Sequence, residues 1–495
     1  MMALFGLAGG GVARAETAAG NAAPAAKGEA AEAAPAEAAG ADAGGGLFEQ
    51  SVAASEGGTK EAASSAAAPP SFTLNGYVRG DVFAGKVPNE RAGEIKADYG
   101  ELSLSLRTAK SAYGDGFAET RLRYGMEGAD SQTIVDVREA YVNTYLGPLD
   151  LRLGKQIIVW GRADALNPTN NLTPVDFQIR SPLEDDIRVG NVGARANLRF
   201  APFRLEAVWM PLYQATQLPN VGLPDFVSFG KPTYPSADLR NGLAAGRLHL
   251  ELASFEMSFS YLRGYAPMPG LTLTSVTFDE VNPSVVVSRT AYDHQVVGFD
   301  FSTALGAVLT LRGEAAYRRP YDYKDRPYAA RPDAQYVLGV DHNFGSLSVI
   351  AQYMGRYVFD WQLEPGPSMT LDPSILKTPS SDPNYGVFMT NAPISINQQL
   401  AKTSQILFSQ TAKVQHIGTL RLEWLGAHEA LSLSSLALYN FTTKEWLITP
   451  RIGYHLSDAM MVYLGAQVFA GPRDTLFGLI NAVLSAGYAE LRYSF

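Results

Sequence analysis

Few residue constellations in this sequence could support covalent or acid–base chemistry. Six histidines are present, and only His294 beside Asp293, and His249 two residues before Glu251, have a carboxylate neighbour that could orient an imidazole for proton transfer. No serine stands in a nucleophile-elbow context, and the absence of cysteine removes thiolate nucleophiles, disulfides and thiolate metal sites together. The histidines read more simply as rim or surface residues, so an enzyme is not expected and no cofactor or metal is implied. A different chemistry recurs through the chain, carried by charged side chains at every second position. Arg79, Arg107, Arg121, Arg123, Arg195, Arg199, Arg247, Arg312, Arg421 and Arg451 share a parity with Glu119, Glu139, Glu251 and Glu314. On one face of a curved sheet they would line a wet path with an anion preference. Alternatively they pair across strands and hold the wall together.

A second candidate is a compact loop. It reads Trp160-Gly161-Arg162, then Asp164, Asn167-Pro168, Asn171, Pro174 and Asp176-Phe177. Its Asn-Pro, Thr-Pro and Asp positions predict successive turns whose side chains bond the local backbone, giving a folded constriction or lid. Asp164, Asn167, Asn171 and Asp176 carry oxygens of the kind calcium takes, but they match no calcium-loop spacing. A rival constriction is the span 359–407, with Trp361, Pro365, Pro367 and Pro373 and a short helix expected around Ile396 to Ala401.

The elements that must position these residues are strands. At Phe72, Leu74, Val78 and Val82 apolar residues occupy one parity, against Thr73, Asn75, Arg79 and Asp81 on the other. The pattern returns at Leu102, Leu104 and Leu106, at Val192 to Leu198, at Phe255 to Tyr261, at Leu309 and Leu311, and at Val462 to Val468. Tight turns are expected near Gly114, Gly147-Pro148, Ala201-Pro202, Ser254, Leu305-Gly306, Gly345, Gly426 and Ser457-Asp458, and most connections between them are long. Counting in this way predicts an all-β chain, a transmembrane antiparallel barrel of about eighteen strands, with sixteen the nearest alternative. Lys155 does not fit the parity of Leu151 and Leu153, and a bulge at Gly154 would turn it inward.

Composition agrees. Aromatic residues make up 11% of the 495 residues and charged ones only 18%, with 47 glycines, as aromatic girdles and tight turns require. No run beyond the N-terminus reaches the roughly 18 apolar residues a membrane helix needs. The formal charge of −9 argues against nucleic acid as a partner, which needs a basic face. Residues 1–15 end in Ala13-Arg14-Ala15, the small-residue form before signal-peptide cleavage, and they lack a basic start, so the expectation is a signal-peptide remnant whose start codon lies further upstream, the alternative being that the run is not a signal. Residues 16–70 are Ala, Gly, Glu and Ser with scarcely a large apolar side chain, so they are expected to be a disordered periplasmic leader before a barrel over 71–495.

The last strand alternates Leu491, Tyr493 and Phe495 outward against Glu490, Arg492 and Ser494 inward. It resembles the assembly signal of outer-membrane proteins, which implies the barrel-assembly machinery and outer-membrane lipid as partners. The stretch Gly154 to Gly161 running into Asn167-Pro168 and Pro174 to Phe177 resembles a family of large proteobacterial outer-membrane barrels classed as a domain of unknown function. Glu139-Ala140-Tyr141, Met210-Pro211, Tyr261 to Tyr265 and Arg312 to Tyr317 carry the same resemblance. It implies a porin-like barrel in the bacterial outer membrane whose cargo is not settled, with envelope lipid trafficking suggested by context. The function expected is a channel for small hydrophilic or amphipathic solutes, passing by diffusion through a loop-constricted lumen. Its rival is a non-conducting partner in envelope lipid or polymer export, with a periplasmic partner.

Overall fold

Alternating strands with one apolar face cannot leave an edge unpaired, and here the sheet removes its edges by closing. The structure is a computed structural model that describes residues 71–86, 93–127, 130–218, 226–306, 309–369 and 373–495. The expected signal remnant and leader, 1–70, lie outside the described residues. The chain forms β1 (Phe72–Lys86), β2 (Gly93–Thr108), β3 (Gly114–Glu127), β4 (Asp130–Leu146), β5 (Leu149–Gln156), β6 (Asn191–Phe200) and β7 (Phe203–Met210). It continues with β8 (Val227–Phe229), β9 (Leu243–Glu251), β10 (Phe255–Tyr265), β11 (Gly270–Thr277), β12 (Ser284–Thr290), β13 (Asp293–Leu305) and β14 (Leu309–Pro320). Then come β15 (Asp333–Phe344), β16 (Leu347–Val358), β17 (Val414–Gly426), β18 (Leu431–Asn440), β19 (Trp446–His455), β20 (Met460–Ala470) and β21 (Ala486–Ser494). All but β8, β11 and β12 join one 18-stranded antiparallel sheet, in which β1 pairs with both β2 and β21.

The closed barrel keeps the register that alternation demands. Asp81 lies opposite Tyr99 on one side and Glu490 on the other. Leu74, Val78, Val82, Leu104, Leu106, Leu464, Leu491, Tyr493 and Phe495 are about half exposed on the outer face, while Arg79, Asp81, Glu101 and Glu490 on the opposite parity are buried. Exposed aromatics collect at the two ends of the strands, as girdles do. Phe200, Phe203 and Phe344 stand at the short-turn end, and Tyr357, Phe359, Tyr439, Phe441 and Trp446 at the other.

Connections at one end are short, such as Gly147-Pro148 and Ala201-Pro202, while at the other several are long and carry structure of their own, although β3–β4 and β18–β19 are joined briefly there too. Two of these long connections pair with each other, β11 and β12 forming a hairpin to which β8 adds in parallel. The helix expected around Ile396 to Ala401 is longer and runs Tyr385–Leu407 as α1, and Leu476–Leu484 forms α2. The bulge expected at Gly154 is not there. Lys155 keeps its register opposite Ala140 and pairs on the outer parity with Asp136 at 3.0 Å, and the irregularity lies across from it, where the β3–β4 register shifts between Glu119 and Thr120.

Candidate functional site

The connection from β5 to β6 does not stay at the barrel mouth. It drops inside and is held at mid-height by side chains from around the wall. Glu139 of β4 accepts the backbone N–H of Ile157 at 2.8 Å, and the Trp160 indole N–H donates to Glu206 of β7 at 3.1 Å, with Arg247 over its ring. Gly161 then turns the chain with φ +104°, where a Cβ would sit 1.9 Å from the Asn167 side-chain oxygen, so only glycine fits.

The next turn is organised by one carboxylate. Glu314 of β14 accepts the N–H groups of Arg162 and Ala163 at 3.1 Å each, and both the N–H and hydroxyl of Thr169 at 2.6 and 2.8 Å. The Arg162 guanidinium reaches Asp300 of β13 at 2.8 Å and Glu256 of β10 at 2.5 Å. Asp164 pairs with Arg421 of β17 at 2.6 Å, and Gln352 of β16 accepts from the N–H of Ala165. The predicted local turns at Asn171 and Asp176 are present, the Asn171 amide donating to the Pro168 carbonyl and Asp176 accepting the N–H of Gln178, while the Pro174 carbonyl accepts the N–H of Val189 from the returning half of the loop. The carboxylate oxygens of Asp164 and Asp176 are thus drawn to different partners, and no cluster of three or more metal-ligating groups occurs among the described residues.

The returning half of the loop carries the tightest anchor. Arg79 of β1 and Arg121 of β3 both bind the Asp186 carboxylate, at 2.7 and 2.6 Å, and Ser181 donates to it at 2.5 Å. Arg138 of β4 donates to the carbonyls of Asp185 and Asp186. Burial alone would raise the Asp186 carboxyl, but the guanidiniums of Arg79, Arg121 and Arg138 outweigh it and hold the group well below the usual carboxylate range. Two residues earlier, burial pushes Glu184 up to about 7 despite the neighbouring Arg188. Tyr99 and Arg123 donate to the Arg180 carbonyl at 2.9 and 3.1 Å, and Gln467 of β20 donates to that of Ser181.

The arginines singled out by parity have distinct partners. Arg79, Arg121, Arg123, Arg312 and Arg421 touch the loop, as do the acids Glu139 and Glu314, while Glu119 backs Arg121 at 2.7 Å. Arg195 pairs with Glu206 and Arg247 with Asp300, while Arg204 holds Glu251. Arg107 lies over Phe117, Arg451 lies 3.7 Å over the Tyr463 ring, and Arg199 sits at the rim on Asp150 with a side chain 60% exposed. So the basic excess read from parity is largely matched by wall and loop carboxylates. Sequence reasoning stopped the loop's contact residues at Phe177 and missed Asp186; the run Glu184-Asp185-Asp186, facing so many arginines, was the available signal.

A second feature was also missed. On β15 to β20 a band of inward side chains is apolar, Val337, Met354, Ile417, Leu436, Leu438, Leu447 and Phe469, with the buried polar Gln335, Arg356 and Gln415 beyond it toward the long-loop end. They form one buried cluster with Leu166, Val175 and Phe177 of the loop and with Ile396, Ile406, Leu407 and Phe408 in and after α1. The loop is therefore pinned by charge to the wall and by apolar packing to the elements above it.

The family model described as "Protein of unknown function (DUF1302)" matches residues 105–420. No curated protein matches. Similar solved structures include the outer membrane protein opdK from Pseudomonas aeruginosa, 7% identical, covering 86% of this chain and 98% of that one with a TM-score of 0.48. A BenF-like porin from Pseudomonas fluorescens Pf-5 is 10% identical, with 86% and 98% covered and a TM-score of 0.49. OccAB1 of Acinetobacter baumannii is 7% identical, with 86% and 96% covered and a TM-score of 0.48. At such identities the likeness is one of fold alone.

Proposed function

Because the chain belongs to the DUF1302 family of proteins of unknown function, which assigns no cargo, we propose its function from the barrel itself: an outer-membrane, porin-like channel for passive passage of small hydrophilic or amphipathic solutes. The apolar outer face with aromatic rows at both strand ends suits a bilayer, and the charged inner wall suits water. The observation that carries the reading is the latched loop. Its anchors come from β1, β3, β4, β7, β10, β13, β14, β16, β17 and β20, so it spans the lumen at mid-height rather than lying along one wall. A segment placed there sets the bore, and a bore set by hydrogen bonds and ion pairs selects by size and charge. No catalytic role follows, since His249 is packed against Arg204 and Glu206 inside the wall.

The test is conductance. Folded, purified protein inserted into planar lipid bilayers is expected to give small, discrete current steps, well below those of an unobstructed barrel of this circumference. Insertion without any current would refute the channel and favour a non-conducting role in envelope export.

A further inference from the structure

At the long-connection ends of β13 to β16, one group of inward cations lacks the matching acids found elsewhere in the lumen. Asp333 of β15 accepts from Nε and Nη2 of Arg318 at 2.8 and 2.6 Å and from Nε and Nη2 of Arg356 at 2.7 and 2.5 Å, so one carboxylate serves two guanidiniums. Gln335 donates to the same carboxylate at 3.0 Å. Arg356 gives its remaining terminal nitrogen, Nη1, to the Ser409 carbonyl at 2.7 Å, whereas the two bonds of Arg318 leave its Nη1 over. His294 of β13 stands beside them, two positions along the strand from Val296, which is the register partner of Arg318. It is 4% exposed, and its Nδ1 has no hydrogen-bond partner among the described residues. Buried polar groups are ordinarily hydrogen-bonded, so an unpartnered imidazole points to a group that completes it.

His294, Arg318, Asp333 and Arg356 line one cavity of about 60 Å³, and Asn171 of the waist loop borders it. Two guanidiniums against one carboxylate leave one positive charge there, because Arg331, which also lines the cavity, is matched by Glu364 at 2.7 Å. The rest of the wall is largely apolar, with Pro267, Met268 and Tyr292, the last set edge to face on Phe408 at 5.7 Å. A single water needs roughly 10–15 Å³ of such space, so the cavity takes about four to six non-hydrogen atoms. One surplus charge, two free N–H donors, an apolar wall and this volume together describe a short-chain monocarboxylate. A dianion would exceed the charge available, and a bare inorganic anion would leave the apolar wall in contact with water. Building on the channel reading, we propose that this cavity binds a monocarboxylate of the size of propionate. One carboxylate oxygen accepts from Arg318 Nη1 and the other from the His294 imidazole, while the alkyl group lies against Met268, Tyr292 and Phe408. Bonds from guanidinium to carboxylate are charge-assisted and roughly twice as strong as neutral ones, so Arg318 supplies most of the hold and His294 the orientation. With Asn171 at its border, the site delivers the solute to the constriction.

The test is saturation-transfer NMR on the full chain in nanodiscs with sodium propionate as probe, which reads binding without reference to current. A saturable signal above that of empty nanodiscs is expected for propionate and not for propionamide, which has the same shape without the charge. His294→Leu removes the imidazole N–H and should weaken propionate by about tenfold. Ala330→Leu fills the cavity while leaving every charge in place and should abolish the signal. Arg240→Gln, which removes a cation from an exposed ion pair outside the cavity, should bind as the unaltered protein does. Heat-resistant mobility in detergent gels shows that each variant is folded. Equal signals from propionate and propionamide, or unchanged binding by either cavity variant, would overturn the proposal, and so would displacement of propionate by an equal concentration of nitrate. Ion conductance is measured on the same proteins: propionate binding without current would sink the channel and leave the site standing, and current without propionate binding would do the reverse.

Discussion

Removing Asp186 should release the loop from one side of the lumen. Its carboxylate is 4% exposed and serves two guanidiniums and a hydroxyl at 2.5–2.7 Å. Breaking a buried charge pair by deleting one partner typically costs about 3–5 kcal/mol, because the remaining charge stays buried. Here the orphaned groups keep other partners, since Arg79 retains Glu101 at 2.7 Å and Arg121 retains Glu119 at 2.7 Å. The lower end, about 3 kcal/mol, is therefore expected for Asp186→Ala, and it falls on loop docking rather than on the barrel. A bias of that size shifts the ratio of docked to released loop by about a hundredfold. In planar bilayers the variant should show larger mean conductance and more current noise than the unaltered protein, with the same heat-resistant mobility of the folded barrel in detergent gels. Arg199→Ala, which removes a rim ion pair with a side chain 60% exposed, should change neither. An Asp186→Ala channel indistinguishable from the parent in step size and noise would refute the latch.

Other expectations follow from the same contacts. Glu184 has its pKa raised from 4.5 to about 7 by burial, so its stabilising contribution is complete below 4.5 and is lost as pH rises through about 7. Current noise should therefore grow between those limits, and Glu184→Gln should flatten the profile; a profile unchanged by that substitution would exclude Glu184 as its source. Asp186 behaves oppositely, its contribution being full above the ordinary carboxylate pKa and lost only as pH falls well below it, so no loosening from this residue is expected near neutrality. Glu314→Gln leaves one oxygen where two serve four donors and should cost the loop about 2 kcal/mol, seen as raised conductance without loss of folded barrel. Gly161→Ala meets both the Asn167 side chain and a positive φ, costing about 1–3 kcal/mol, and should act on the same readout. Arg356→Ala, by contrast, strips one of the two guanidiniums from buried Asp333 near the mouth and should lower the temperature at which the barrel loses heat-resistant mobility, which thermal titration on gels measures.

The sequence by itself determined the barrel. Strand alternation has a period of two, so Leu491, Tyr493 and Phe495 had to share a face that Glu490 and Arg492 do not, and the long and short connections gave an even strand count. It also located the compact loop and the local turns at Asn171 and Asp176, because those bonds span two or three residues. What it could not show was where the loop goes. Arg79 meets Asp186 across 107 positions and Arg162 meets Asp300 across 138, and nothing in either neighbourhood encodes the other. Parity alone made the inner arginines an unbalanced basic surface; the tertiary structure decided that most are matched, because the loop carries carboxylates into the lumen. The apolar lining on β15 to β20 was hidden for a related reason. In Leu436-Ala437-Leu438 both parities are apolar, so alternation cannot tell the face that meets lipid from the face that meets α1, and only the placement of the helix over the lumen does.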